Sequence, residues 1–353
     1  MLGNKKSEAL LANIRNGQPM SQNEKLKLIV SLSIPSILAQ ITTVMMFFID
    51  ASMVGHLGAE ASASIGLVES TTWLMGSVMS AASMGFSVQV SHFIGANDFF
   101  KARQVFRHGL LCGLAFSLII AAIGTSIHSV LPLWLGGGND INHDASQYYL
   151  VFSLTMPFIL LFHLSASMIK CSGNMQLPSL MSVLLCVLDV IFNYLFIYIL
   201  HLGVVGAAIG TSMAYISTSL PIAWMATRRN KILALQLDNV PFKWVWDYVT
   251  KAIRISLPMA IQSVLMSGAQ IVSTLIVAPL GNIAIASNSF AITAESLCYM
   301  PGYGIGDAAT TLVGQTYGAG RKDLCKSFAH MTVGLGMLVM AFMGLIMRSE
   351  ERR

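Results

Sequence analysis

Five carboxylic acids lie within the long apolar runs of this sequence, where packing alone does not explain them: Asp50, Glu69, Asp189, Glu295 and Asp307. Inserting an acid at bilayer depth costs about 3 kcal/mol, so such acids normally face a bundle interior and serve ion or substrate pathways. No Lys or Arg lies deep within these runs. We therefore expect an acidic interior that suits a cation or a proton. It does not suit a substrate that carries pyrophosphate or carboxylate groups.

Two of the acids belong to a group of polar residues that we expect at similar depth. Asp189 and Asn193 are four residues apart, so they share one face of a helix. Asp50, Asn193 and Thr211 are expected in the outer half of the membrane, with Asp189 one turn deeper. Such an oxygen-rich group suits Na⁺ at Asp50, Asp189 and Asn193, or a proton held by an acid. The alternatives are that Asp50 caps a helix end and that Asn193 and Thr211 make ordinary interhelical hydrogen bonds.

Two further acids and two prolines are candidates for a second site and for helix movement. Glu295 lies in the middle of its run, and Asp307 lies nearer the inner side. They are candidates for a second cation or proton site, although Asp307 also suits a structural role. Pro35 and Pro258 interrupt two equivalent runs, which favours a helix break or a gate at each position.

The elements that must position these residues are membrane-spanning helices. Of the 353 residues, 55% are hydrophobic and 10% are charged, and the mean hydropathy is +0.68. A soluble domain carries about a quarter charged residues, whereas a spanning helix needs about 20 mostly apolar ones. We predict an all-α polytopic membrane protein with nine helices, at about 27–50, 62–92, 109–134, 145–169, 177–200, 204–227, 250–279, 284–312 and 327–347.

The basic residues predict how these helices are oriented. Nearly all of the 21 Lys and Arg residues lie on alternate connections, on the side of the N-terminus, and the other connections hold none. By the positive-inside rule the N-terminus is cytoplasmic, in a multi-pass protein of the plasma (inner) membrane. This distribution accounts for the net charge of +5 without nucleic-acid binding. The N-terminal residues lack the apolar stretch of a signal peptide, and the five cysteines lack metal-binding spacing.

An internal repeat relates the two halves of the chain. Pro35 recurs as Pro258, an offset of 223, and Gly95 recurs as Gly318 at the same offset. Six predicted helices separate the copies, so both copies have the same orientation, as in several transporter folds. We expect two lobes whose interface holds the substrate site. The predicted parts are a cytoplasmic tail (1–26), a first lobe of six helices (27–227), a cytoplasmic interfacial linker that forms a surface helix (228–248) and a partial second lobe (249–353).

Sequence motifs for enzymatic energy coupling or hydrolysis are absent. The chain contains no GxxxxGK[ST], GxSxG or HExxH motif. We therefore predict that the protein is not an enzyme and needs no cofactor. Coupling to an ion gradient remains as the energy source.

Three motifs carry a resemblance to a known family: DxxxVGxLG at 50–58, VAPLG at 277–281 and VGQxxGAG at 313–320. They resemble the multidrug and toxic compound extrusion (MATE) transporters. The resemblance implies two six-helix lobes that export cationic or amphipathic compounds in exchange for Na⁺ or H⁺. Asp50 matches the first-helix acid of the family's cation site, and Thr211 resembles its sixth-helix hydroxyl. Asp189 and Asn193 stand in the reverse of the order that many members show, and Met266 stands where some sodium-coupled members carry Glu.

These observations predict a secondary active antiporter that works by alternating access, with about nine of twelve family helices present. One alternative is a lipid-linked oligosaccharide flippase of the same superfamily, which the lack of intramembrane Lys or Arg disfavours. Another is a truncated, non-transporting membrane remnant, because helices ten to twelve are missing and the ending at 348–353 is basic. Cationic or amphipathic small molecules and the bilayer are the expected partners. The sequence makes no prediction about Na⁺ versus H⁺ or about oligomeric state.

Overall fold

Eleven α-helices make up most of the chain in the computed structural model, which describes residues 2–138, 140–237 and 242–351. Turns of π-helix at Tyr194–Ile199 and Met225–Arg229 extend α7 and α8, and 3₁₀ turns lie at Leu235–Leu237 and Ala278–Leu280. The α-helices are α1 (Leu2–Arg15), α2 (Gln22–Gly55), α3 (Ala59–Gly95), α4 (Phe99–Ile127), α5 (Leu131–Trp134), α6 (Asn142–Cys171), α7 (Gln176–Asn193), α8 (Gly203–Trp224), α9 (Trp246–Val277), α10 (Asn282–Gly318) and α11 (Lys322–Glu351).

Nine of these helices are long, and they match the nine predicted runs. Seven of the nine are long and apolar enough to cross a membrane, within the described residues: α2, α4, α6, α7 and α8 with their π-helical turns, α9 and α11. The other two, α3 and α10, are the longest at 37 residues each and are rich in Ala, Ser, Gly and Thr. Both pack against helices of the two lobes, where small residues allow close approach. The all-α polytopic prediction is confirmed.

Local sequence signals explain where the first long helix begins. Ser21 and Glu24 form a capping box: the Ser21 Oγ atom accepts from the Glu24 backbone N–H at 3.3 Å, and a Glu24 carboxylate oxygen accepts from the Ser21 N–H at 2.8 Å. The helix therefore starts at Gln22, a turn before the apolar run that predicted it.

The two lobes, α2 to α8 and α9 to α11, meet through a reciprocal contact between α3 and α10. Gly95 lies directly against the backbone of Gln315, and Gly318 lies directly against the backbone of His92. His92 and Gln315 differ by the same 223 positions as the two glycines. The contact therefore repeats itself about a pseudo-two-fold axis, as a parallel repeat requires. Neither glycine has room for a Cβ atom.

One end of the bundle is closed. We call it the basic face; it carries α1, the start of α2 and the turns around 97, 173 and 320. The Lys170 ammonium pairs with the Asp307 carboxylate across the lobes at 2.6 Å, and the Gln315 amide donates to the Cys171 carbonyl at 2.8 Å. Helix α1 covers the same seam. The opposite face carries the α2–α3 turn and α5.

The linker between the lobes differs from the predicted surface helix. From Asn230 to Leu237 it consists of turns and one 3₁₀ turn, and α9 begins only at Trp246; residues 238–241 lie outside the described part. Two arginines of α4 explain the irregular path. Arg103 donates to the Ile232 carbonyl at 2.9 Å, and Arg107 donates to the Leu235 carbonyl at 2.8 Å. These carbonyls find side-chain donors, so they do not need helical N–H partners.

Candidate functional site

A cavity of about 720 Å³ lies inside the first lobe and reaches the α2–α3 turn at the opposite face. Helices α2, α3, α6 and α8 form most of its wall, with Ser287 and Met300 contributed by α10. Asp50, Glu69 and Thr211 are among its polar residues, and no Lys or Arg is among the described residues that line it. The volume lies within the range of about 300–1,000 Å³ that is typical of small-molecule sites.

A cluster of the predicted residues lies at the wall of this cavity. The Asn193 Nδ2 atom donates to the Asp50 Oδ1 atom at 2.8 Å and to the Asp189 Oδ2 atom at 3.1 Å. Thr211, from α8, lies beside the Asp189 carboxyl group. Asp189 and Asn193 are fully buried, whereas Asp50 and Thr211 also line the cavity. The structure thus brings together all four residues that the sequence predicted at similar depth.

Two backbone features hold the three helices of this cluster together. A Cβ atom at Gly210 would overlap the Asn193 side chain, so only glycine lets α8 approach α7 this closely. The π-helical turn begins directly after Asn193, and its Tyr198 hydroxyl donates to the Met53 carbonyl of α2 at 2.7 Å. Turns of π-helix inside α-helices frequently occur at functional sites.

The cluster contains more acceptor oxygens than donors. Carboxylates only accept hydrogen bonds, so the Asn193 nitrogen must face both acids and its Oδ1 atom must point away from them. The Oδ1 atoms of Asp189 and Asn193 are buried and have no hydrogen-bond donor. Buried polar atoms normally have a partner. Carboxylate and amide oxygens in this arrangement suit a small hard cation or a proton.

The proposed second acidic site is not a single site in the structure. Asp307 is paired with Lys170, and Glu295 is exposed. The two acids are twelve residues apart on α10, which is about 18 Å along the helix axis. The sequence predicted Lys170 in a connection, outside the apolar runs. Helix α6 instead continues to Cys171 and turns the Lys170 ammonium toward α10.

The two prolines do not break their helices. Helix α2 continues through Pro35 and α9 continues through Pro258, so the expected helix break is absent at both positions, while a gate there stays a prediction. The Pro35 carbonyl accepts a hydrogen bond from the Ser179 hydroxyl of α7. This hydrogen bond ties α7 to α2 at the level of the proline.

Sequence reasoning missed the aromatic part of the cavity. The Phe47 and Trp73 rings lie 4.6 Å apart between centroids, and Tyr148 and Tyr215 also line the wall. The Tyr148 side chain is close enough to the carboxyl groups of Asp50, Glu69 and Asp189 to interact with their charges. The spacing of Glu69 and Trp73 by four residues was a usable signal, because it places both on one face of α3.

Comparison with known proteins decides the family. The MatE family model matches residues 35–195 and 258–349. The chain belongs to the MatE family. The two matched segments of this MatE chain begin at Pro35 and Pro258, the pair that defined the repeat offset. The protein is therefore a multi-pass membrane transporter by family, and not an enzyme.

Relatives of the MatE chain include proteins named for drug resistance. It is 25% identical over 325 residues to the probable multidrug resistance protein NorM of Thermotoga maritima, covering 91% of this chain and 69% of the relative. It is 23% identical over 321 residues to the multidrug export protein MepA of Staphylococcus aureus, covering 89% of this chain and 70% of the relative.

Solved structures share the fold. The outward-facing conformation of a multidrug resistance MATE family transporter of the MOP superfamily superimposes with a TM-score of 0.82 at 24% identity, over 89% of this chain and 70% of that one. A MOP superfamily transporter from Pyrococcus furiosus, described as having a binding pocket of reverse polarity, gives a TM-score of 0.81 at 23% identity, with coverage of 89% and 70%.

Proposed function

We propose that this MatE protein exports cationic or amphipathic compounds in exchange for Na⁺ or H⁺, with Asp50, Asp189, Asn193 and Thr211 as its coupling-ion site. The observation that carries this proposal is the buried Asp50–Asn193–Asp189 cluster, with two acceptor oxygens that have no donor, at the wall of a drug-sized cavity. The names of the relatives support multidrug export as the physiological activity.

Electrostatics explains why an ion belongs in the cluster. Two carboxylates that share one amide donor in a buried site repel each other, and the described part of the cavity wall has no Lys or Arg to offset their charge. A bound Na⁺ or proton removes this repulsion. Both ions are chemically suitable, because carboxylate and amide oxygens can coordinate Na⁺ and either carboxylate can take up a proton.

Asp50 connects the ion to the cavity. Its Oδ1 atom accepts from the buried Asn193 amide, and the same residue lines the cavity. Binding of Na⁺ or a proton to the cluster therefore changes the charge of the cavity wall that a cationic substrate contacts. In an alternating-access cycle this coupling lowers the affinity for the substrate when the ion enters from the open face.

The basic face is proposed to be cytoplasmic, in the plasma (inner) membrane. Its excess of Lys and Arg fits the positive-inside rule. With this orientation the structure, closed at the basic face and open at the opposite one, represents an outward-facing state. The described residues that line the cavity include no Lys or Arg, so the observations favour cation export over a flippase for pyrophosphate-linked sugars.

The first prediction tests the ion site. Asp50→Asn and Asp189→Asn are expected to abolish ethidium efflux driven by an imposed Na⁺ or pH gradient in proteoliposomes, because each variant removes a charge that the ion neutralises. Glu60→Gln is the matched control, since Glu60 is exposed at the start of α3 and does not line the cavity. Ion-driven efflux that is unchanged in Asp50→Asn contradicts the coupling site.

A further inference from the structure

The cavity contains a second carboxylate on a different helix from the ion cluster. Glu69 of α3 is partly buried and lines the cavity wall together with Asp50 of α2. Asp189 and Asn193, which complete the ion cluster, are not part of that wall. The cavity therefore has one acid that connects to buried ion-binding groups and another that belongs to the cavity surface.

An aromatic surface adjoins Glu69. Trp73 lies one helical turn further along α3, on the same face, and it also lines the cavity. The Phe47 ring of α2 packs against the Trp73 ring at 4.6 Å between centroids and 39° between ring planes. Both side chains are only partly buried, so they present one continuous aromatic surface next to a carboxylate.

The two acids also lie at different depths. Glu69 is ten residues from the first residue of α3 and Trp73 is fourteen, which is about 15 Å and 21 Å along the helix axis. Asp50 is five residues from the end of α2 at Gly55, or about 8 Å along its axis. A molecule that enters from the opposite face reaches the level of Asp50 before it reaches Glu69 and Trp73.

We propose that Glu69, Trp73 and Phe47 form a substrate subsite that binds the charged group and an aromatic ring of a monovalent organic cation, while Asp50 serves the coupling ion. This inference rests on the proposed export function for its physiological meaning, but the binding that it describes is measured separately. A carboxylate attracts the positive charge, and the face of an indole or phenyl ring attracts it as well. The ring surface also removes apolar area of the ligand from water.

This division explains why the cavity needs two acids. With Asp50 alone, ion and substrate compete for one charge, and a neutralised Asp50 leaves nothing to select a cation. With Glu69 at a separate position, the protein selects cations at one residue and couples their release at another. The charge that selects the substrate is then on α3, and the groups that bind the ion are on α2, α7 and α8.

Binding measurements on the purified chain in lipid nanodiscs test the subsite. The probes are the tetraphenylphosphonium cation and neutral triphenylphosphine oxide, which shares its phenyl groups but carries no net charge. Glu69→Gln is expected to weaken tetraphenylphosphonium binding about tenfold and to change binding of the neutral probe less than about twofold. Glu69→Asp, which keeps the charge, is expected to retain most of the affinity, and Glu60→Gln is expected to match the parent.

Variants of Trp73 test the aromatic surface of the subsite. Trp73→Ala is expected to weaken both probes, because both use the ring surface, and Trp73→Phe is expected to weaken them less. Trp134→Phe is the control, because Trp134 is exposed outside the cavity.

Two results overturn the subsite: equal tetraphenylphosphonium affinity of the parent and Glu69→Gln, or no binding of this cation by the parent. A failure of the export proposal is recognised in a different measurement, the ion-driven efflux. Asp50→Asn that keeps ion-driven efflux contradicts the coupling site, while the loss of cation selectivity in Glu69→Gln still supports the subsite.

Discussion

The Asn193 side chain lies between two carboxyl groups, and this one amide determines the chemistry of the cluster. Its nitrogen donates to both acids, so its oxygen is left without a donor in a fully buried position. The residue is held there by steric fit as much as by hydrogen bonds, because Gly210 of α8 lies directly against it. The geometry of the proposed ion site therefore depends on Gly210, which has no side chain to bind an ion.

The second prediction follows at the residue scale. Gly210→Ala is expected to displace the Asn193 side chain, to reduce ion-driven ethidium efflux strongly and to destabilise the protein by about 1–3 kcal/mol through overpacking. Gly268→Ala is the control: Gly268 lies within α9 with open space around its Cα atom, so its replacement is expected to be neutral or stabilising. Efflux and thermal unfolding are measured for both variants, and equal behaviour of the two contradicts the steric argument.

Helix α1 is the element whose position has the most direct consequence. Its Leu11 and Ile14 side chains are almost completely buried, at 2% and 0% exposure, in a cluster that includes Leu28 of α2 and Phe328 of α11. The α1–α2 turn is also tied to the second lobe, because Arg321 donates to the Gln18 carbonyl at 2.7 Å. A helix that contacts both lobes on the closed face opposes their separation.

The third prediction concerns this helix. The double variant Leu11→Ser with Ile14→Ser is expected to detach α1, since burial of each aliphatic side chain contributes about 2–3 kcal/mol. Cleavage by trypsin after Arg15 is then expected to become several-fold faster. Ala9→Ser, at an exposed position of the same helix, is expected to leave the rate unchanged. A double variant as resistant as the parent contradicts the packing role of α1.

At the element scale, local patterns were predictable and tertiary contacts were not. The apolar runs predicted nine helices. The four-residue spacing of Asp189 and Asn193 placed them on one face of a helix, and the expected depth of Asp50 in the membrane placed it at a similar level. Pairing of Lys170 with Asp307 depends on α6 continuing to Cys171, which no local signal in the sequence indicated. The irregular linker likewise depends on arginines that are more than 120 positions away in the sequence.

At the scale of the whole molecule, the bundle is closed at the basic face and open at the opposite face, and the proposed alternating-access cycle requires the contacts at the closed end to break. The Lys170–Asp307 pair lies next to Cys171, which is buried at 2% exposure. In the proposed alternating-access cycle the lobes separate at this face, and we expect this separation to break the interlobe ion pair and to expose the Cys171 thiol. The reactivity of the thiol is then a measure of the conformational equilibrium of the two lobes.

The fourth prediction uses this reporter in a chain whose other four cysteines, Cys112, Cys186, Cys298 and Cys325, are replaced by serine. Asp307→Asn removes the partner of Lys170, so labelling of Cys171 by a maleimide is expected to become several-fold faster. The double exchange Lys170→Asp with Asp307→Lys is expected to return the rate toward that of the parent. Equal rates in all three chains contradict a role for the pair in closing the basic face.

The reciprocal contact of Gly95 and Gly318 makes the two lobes comparable to the subunits of an isologous dimer, in which the same patch is used on both sides. The patch is part of a larger interface, since α2 packs against α10 and α3 packs against α9, which are again equivalent pairs in the two copies of the repeat. The linker joins the lobes covalently, so each patch keeps its counterpart at a high effective concentration after the two separate. In the proposed alternating-access cycle, this tethering favours return to the same closed contact.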